Sequence, residues 1–256
     1  MIEQTTMATS AVQPLLRGEG LTRRFGGLVA VSDLDLEIRS REILGLIGPN
    51  GAGKSTTFNL ISGFYKPSAG RLFLHGKDMT GASPERISRR AGLVRTFQHG
   101  SLMSSMSVRD NLLVGAVGAL PTASRVERVR RVQETAELLG LQSRLDDRAG
   151  QLPHGLQRLV SIAIAFSVRP RLLCLDEPLT GLNQTEVASI LQVFRRIRDE
   201  FGSSILLVEH NMKAVMNVCD RLVVLHHGQL LATGTPSQVG RDPKVLAAYL
   251  GGAHAQ

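Results

Sequence analysis

The stretch Gly48-Pro49-Asn50-Gly51-Ala52-Gly53-Lys54-Ser55-Thr56 constrains the fold more than any other part of this chain, because it fits the phosphate-loop pattern G-x-x-x-x-G-K-[ST] at every fixed position. The apolar run Ile43-Leu44-Gly45-Leu46-Ile47 before it reads as a buried parallel strand, and Thr56 to Ser62 after it as a helix closed by Gly63. A glycine-rich turn between strand and helix aims backbone N–H groups and a positive helix end at one point, which suits a polyphosphate. In that arrangement Lys54 reaches the β- and γ-phosphates and Ser55 offers its hydroxyl to Mg²⁺.

The 256 residues are enough to bury a full core in a single α/β domain with an embellishment. No apolar run approaches the ~20 residues that span a bilayer. Residues 1–14 lack the charged start and long apolar centre of a secretion signal, so we read a loose N-terminal tail, one domain over 15–256, and a cytoplasmic protein. Cys174 and Cys219 sit in apolar or helical surroundings without metal-ligand spacing and read as buried thiols. The net charge of +8 comes from arginines spread along the chain, and only two tyrosines and no tryptophan are available for base stacking. Nucleic acid is therefore not the expected partner.

In chain order, Leu15 to Ile38 reads as antiparallel strands around Gly26-Gly27, and Arg71 to His75 as another strand. Ser83-Pro84 opens a short helix, Leu93 to Phe97 forms a strand that ends at Gln98, and Ser107 opens a helix through about Val117. A further helix over about Ser124 to Leu139 places Val126, Val129, Val132, Ala136 and Leu139 on one side and stops at Gly140. We take residues 99–157, approximately, as a helical subdomain inserted into the core. The helix after Gln151-Leu152-Pro153-His154-Gly155 spans about Leu156 to Val168, Asn183 and Glu186 cap another, and a last helix covers Pro236 to Leu250.

The strand Leu172 to Leu175 ends in Asp176-Glu177, the first acid placed to hold Mg²⁺ and the second to polarise water. The strand Ser204 to Val208 ends at Glu209-His210, where the histidine either donates to a γ-phosphate or is merely a surface residue. Phe25 either stacks on an adenine ring or belongs to the core, and Gln98 either touches a metal-bound water or is an ordinary polar loop residue.

The series Gly48 to Thr56, Gln98, Leu152 to Gln157, Leu172 to Glu177, Thr180-Gly181-Leu182-Asn183 and His210 resembles the ATP-binding subunits of ABC transporters across nearly the whole chain. The resemblance implies an α/β P-loop NTPase (RecA-like) core with an antiparallel β subdomain and an inserted α-helical subdomain. It implies ATP and Mg²⁺ as ligands, with Phe25 as the adenine-stacking aromatic, Gln98 as the mobile-loop glutamine beside the metal, Glu177 as catalytic base and His210 as switch histidine. The phrases Val94-Arg95-Thr96-Phe97-Gln98, Leu207-Val208-Glu209-His210-Asn211-Met212 and Ala247-Ala248-Tyr249-Leu250-Gly251 look like the branched-chain amino-acid importers in particular. That likeness implies a second ATPase subunit, two membrane permeases, a periplasmic binding protein feeding them, and a peripheral position on the cytoplasmic membrane face.

The general signature Leu-Ser-Gly-Gly-Gln is replaced by Leu152-Pro153-His154-Gly155-Leu156. In the implied dimer, Leu152, His154 and Gly155 act on the partner's ATP. Leu102, Met103 and Met106 form the expected permease-docking surface. A non-transport ABC protein is the alternative, but its DNA-repair forms carry a long coiled coil and its translation forms two tandem domains. A nucleotide-binding regulator is disfavoured by the intact Lys54, Asp176, Glu177 and His210.

Overall fold

The computed structural model describes residues 13–96, 102–119 and 122–250. It opens with a hairpin, β1 (Leu16–Phe25) and β2 (Leu28–Ile38), joined across Gly26-Gly27 with Phe25 opposite Leu28. Leu34, Leu36 and Ile38 are buried while Asp35 and Glu37 face out, as the alternation requires. After β3 (Ile43–Ile47), buried throughout, come α1 (Lys54–Ile61), β4 (Ala69–Leu74) and β5 (Lys77–Asp78). Next are α2 (Pro84–Ala91), capped by Ser83, β6 (Leu93–Arg95), α3 (Val108–Ala119) and α4 (Arg125–Leu139). The second half holds α5 (His154–Phe166), β7 (Leu172–Asp176), α6 (Gln184–Phe201), β8 (Ser204–Val208) and α7 (Met212–Val218). It closes with β9 (Arg221–His226), β10 (Gln229–Gly234), α8 (Pro236–Val239) and α9 (Pro243–Leu250).

Two sheets result: an antiparallel one in the order β2-β1-β4-β5 and a larger one in the order β10-β9-β3-β8-β7-β6. In the larger sheet β9, β3, β8, β7 and β6 run parallel and β10 adds an antiparallel edge. Successive side chains on a strand point to opposite faces, and the core divides accordingly. Ile43, Leu173, Ile205 and Val224 join the apolar residues of α3 to α7 in one cluster, whereas Leu44, Leu172, Leu206 and Val223 join α1, α2 and the antiparallel sheet in the other. The apolar residues of α3 and α4 thus share a core with one face of the sheet.

Several expectations change in detail; α1, for one, begins at Lys54, two residues early. Pro243 starts a new helix, so the expected last helix is two: proline has no N–H to continue α8, and Asp242 accepts from Lys244 N–H at 2.8 Å to start α9. The α5 helix begins at His154, two residues early, with Pro153 as N-cap. Val126 and Val129 are exposed, because the N-terminal part of α4, opened by the Ser124–Glu127 capping box, stands off the core and its stripe meets the core only from Val132. Leu102 is half-buried against the core, and Met103 is clamped through its backbone by the Asn111 amide, leaving Met106 as the exposed side chain of the three.

Candidate functional site

Parallel register sets the site. Leu46 pairs with Val208 and Asp176 with the same residue, so the carboxyl ends of β3, β8 and β7 lie side by side. The loop after Ile47, the Asp176-Glu177 pair and the Glu209-His210 pair therefore emerge at one edge, where open α/β sheets bind ligands. A cleft of about 390 Å³ there is lined by Asn50, Gly51, Ala52, Gly53, Lys54, Ser55, Thr56 and Glu177, with Leu28, Val29, Ala30 and His227. That volume is within the ~300–1,000 Å³ usual for small-molecule sites. A larger hollow of about 600 Å³ lies between β1–β2 and β9–β10, away from these residues.

The loop backbone admits only glycine at two points. Gly48 has φ 151°, and a Cβ there would overlap the Leu225 carbonyl; Gly53 has φ 99°, and a Cβ would lie 2.7 Å from the Ala30 carbonyl. Lys54 is buried and donates to the carbonyls of Gly48 at 2.8 Å and Pro49 at 3.0 Å. Burial holds its ammonium below the usual lysine range, opposed by the nearby Glu177 and Asp176. Ser55 and the half-exposed Thr56 start α1 beside it, with the Ser55 side chain in solvent.

Asp176 is 8 % exposed, and burial pushes its carboxyl above the ordinary range, opposed chiefly by Arg95. Glu177 follows with φ 47°, a left-handed conformation unusual for a non-glycine and typical of functional turns at a cost of order 1–3 kcal/mol. Its N–H donates to Val208 O at 2.9 Å, and its Oε1 stands 3.7 Å from His210 Nδ1. The sequence-predicted Lys54, Ser55, Asp176, Glu177 and His210 are thus brought together.

Other predicted residues lie apart from the cleft. Phe25 is 39 % exposed and so not a core residue; Tyr65 meets its ring edge-on at 5.2 Å and the Arg23 guanidinium lies 4.6 Å above it. It stands across the hairpin from Leu28, which does line the cleft. Leu152, His154 and Gly155 sit at the start of α5, packed beside the turn before α6: a Cβ on Gly181 would lie 3.4 Å from His154 Cε1. Leu156 packs against the core, and the amide of Gln157 turns back to Leu152 O at 2.8 Å. Gln98 lies outside the described residues.

Sequence reasoning missed His227. It occupies the β9–β10 turn with φ 49°, and Gly228 fixes that turn by donating to Ala52 O at 3.0 Å and accepting from Ser32 N–H at 2.8 Å. The His227-Gly228 pair between two alternating strands was the available signal. Cys174 and Cys219 are buried free thiols, and burial pushes both far above the ordinary thiol range. Among the described residues no helix is long and apolar enough to cross a membrane.

Residues 31–180 match the family model described as "ABC transporter", and residues 229–255 match "Branched-chain amino acid ATP-binding cassette transporter". The LivG protein of Salmonella typhimurium, a high-affinity branched-chain amino acid transport ATP-binding protein, is 42% identical over 94% of this chain and 99% of its own length. BraF of Pseudomonas aeruginosa, of the same description, is 39% identical, and the lipopolysaccharide export ATP-binding protein LptB of Acidithiobacillus ferridurans is 35% identical over 93% of this chain and 97% of its own. Among solved structures, the ADP conformation of an ATP-binding cassette of an ABC transporter superposes with a TM-score of 0.83 at 31% identity, covering 93% of this chain and 99% of the other. With a phosphate-loop cleft and paired acids at the sheet edge, and with this agreement along the chain, the protein belongs to the ABC transporter family as one of its ATP-binding, ATP-hydrolysing cassettes.

Proposed function

We propose that this cassette drives an importer for branched-chain or other hydrophobic amino acids. The observation that carries this reading is the 42% identity to a branched-chain amino acid transport ATPase over nearly the full length of both chains, joined by the subfamily match at residues 229–255. That second match favours import of amino acids over the lipopolysaccharide export named for the 35% relative.

In this reading the loop Gly48 to Thr56 holds the triphosphate, and Lys54 exchanges its bonds to Gly48 O and Pro49 O for phosphate oxygens. Phe25 offers the adenine a ring face now covered by Arg23. The donor set suits Mg²⁺: the exposed Ser55 hydroxyl at the start of α1 and the buried Asp176 carboxyl at the end of β7 are hard oxygen donors, few enough for an ion held mostly by phosphates and water. When bound there, Mg²⁺ neutralises charge on the phosphates. Glu177 would accept the proton of the attacking water, His210 would donate toward the γ-phosphate, and Gln98 would join Ser55 and Asp176 in holding the ion. Leu152, His154 and Gly155 complete the site of a second subunit, the same chain or a different one, and two permeases dock on the face bearing Met106. The pair works on the cytoplasmic membrane face, and a periplasmic binding protein delivers solute to the permeases.

The test is uptake of labelled leucine by cells lacking this chain. Restoration by the wild-type chain but not by Glu177→Gln is expected, with permeases co-purifying from gently solubilised membranes. Leucine uptake that does not depend on the chain would overturn the amino-acid reading.

A further inference from the structure

At the end of β8 the structure buries a carboxyl group that the reaction above does not use. Glu209 is 1 % exposed. One of its oxygens accepts from Leu179 N–H at 2.8 Å, and the other from His210 N–H at 3.2 Å and Asn211 N–H at 3.4 Å. A buried acid without donors would be strongly destabilising, so these backbone groups account for its presence.

The donors belong to two different turns. Leu179 lies in the turn after β7, two residues beyond Glu177, where Thr180 N–H reaches Glu177 O at 3.4 Å and Leu182 N–H reaches Leu179 O at 3.3 Å. That turn runs into Asn183, the cap of α6. His210 and Asn211 lie in the turn after β8, where Asn211 caps α7. The β7–β8 ladder ends at Asp176 opposite Val208, and one further backbone bond, Glu177 N–H to Val208 O, follows it. Beyond that point the Glu209 side chain replaces the ladder as the link between the turns.

We propose that Glu209 is a positioning residue that fixes the spacing of Glu177 and His210, 3.7 Å apart at their nearest side-chain atoms, and makes the two turns move as one. This rests on the roles given to Glu177 and His210 above. None of the hydrogen bonds of Glu209 reaches the phosphate loop, and Glu209 does not itself line the cleft. Its loss therefore lowers turnover without changing ATP affinity, whereas a side chain that only stabilised the fold would change the melting temperature and leave kcat alone.

The experiment measures kcat, KM for ATP and melting temperature of the full chain as wild type, Glu209→Ala, Glu209→Gln and Glu177→Gln. Glu209→Gln keeps the side-chain length, but whichever way the amide turns, its NH₂ faces backbone donors on one side. Misplacement of catalytic groups by about 1 Å costs up to about 100-fold, so we expect kcat to fall about 10- to 100-fold in both Glu209 variants with KM for ATP unchanged. If Glu209→Ala does not fold, Glu209→Gln decides alone. A wild-type kcat in Glu209→Gln, or a KM that rises in step with the loss of kcat, overturns the positioning role. Turnover retained in Glu177→Gln overturns the reading of the site itself; a dead Glu177→Gln beside a fully active Glu209→Gln overturns only this inference.

Discussion

Gly155, at the second position of α5, faces Glu186 in the first turn of α6, and replacing it by alanine tests that contact quantitatively. A Cβ at position 155 would overlap Glu186 Oε1 and lie 2.6 Å from its Cδ and 2.9 Å from its Cγ. Glu186 is the reciprocal member of the α6 capping box: its Oε2 accepts from Asn183 N–H at 2.9 Å, while its own N–H donates to Asn183 Oδ1 at 3.0 Å. Relieving the overlap means swinging Glu186 away, which loses one exposed hydrogen bond worth about 1 kcal/mol. Against this, alanine gains up to about 1 kcal/mol of helix propensity over glycine. Gly155→Ala is therefore expected to be neutral or mildly destabilising in the wild-type chain but stabilising in a Glu186→Ala background, where the obstructing atoms are gone. The coupling is about 1 kcal/mol, and at roughly 2–4 °C per kcal/mol for a chain of this size it is measurable by thermal melts of the four proteins. Additive shifts, with no change of sign between backgrounds, would refute the contact.

Lys54→Ala should weaken ATP binding about 10- to 150-fold, as expected for one charge-assisted hydrogen bond of about 1.5–3 kcal/mol, read by titration with a fluorescent nucleotide. Glu42→Ala breaks the pair between the buried Glu42 and the part-buried Arg221, whose Nε lies 2.8 Å from Glu42 Oε1, and should cost about 1.5–3 kcal/mol, as for a hydrogen bond to a charged group; an unchanged melting temperature would contradict it. Because burial raises the Asp176 carboxyl above its unfolded value, the folded state holds that proton to higher pH, so stability falls as pH rises through the raised value. Asp176→Asn should therefore raise the melting temperature of the nucleotide-free protein at neutral pH, the gain vanishing below the usual carboxylate range, while turnover is lost. Cys174 and Cys219 should resist a maleimide in the folded chain and react with it in denaturant.

Elements whose signal is local were legible in the sequence. The phosphate loop, the all-apolar strands around Leu44, Leu173 and Leu206, and the caps at Ser83 and Asn183 were each predicted from a few neighbouring residues, and each forms. What was lost depends on distant packing. The exposure of Val126 and the burial of Leu102 depend on which face meets the sheet, which periodicity does not say. His227 enters the cleft only because the β9–β10 turn bonds to Ala52 and Ser32, residues 175 or more positions away in the chain, and Glu209 looked like a polar strand end until Leu179 was placed against it. The signature segment shows both sides: its helix was predicted, yet packing seats Leu156 against the core where the general signature has a glutamine.

In the proposed mechanism, binding and hydrolysis of ATP reside in separable groups, with the loop around Lys54 holding the nucleotide and Glu177 acting on water. This is tested most directly by measuring ATP affinity and steady-state turnover of Glu177→Gln on the same preparation. Affinity equal to wild type with turnover abolished is expected; a loss of affinity matching the loss of turnover, or turnover that survives, would contradict the separation of the two roles.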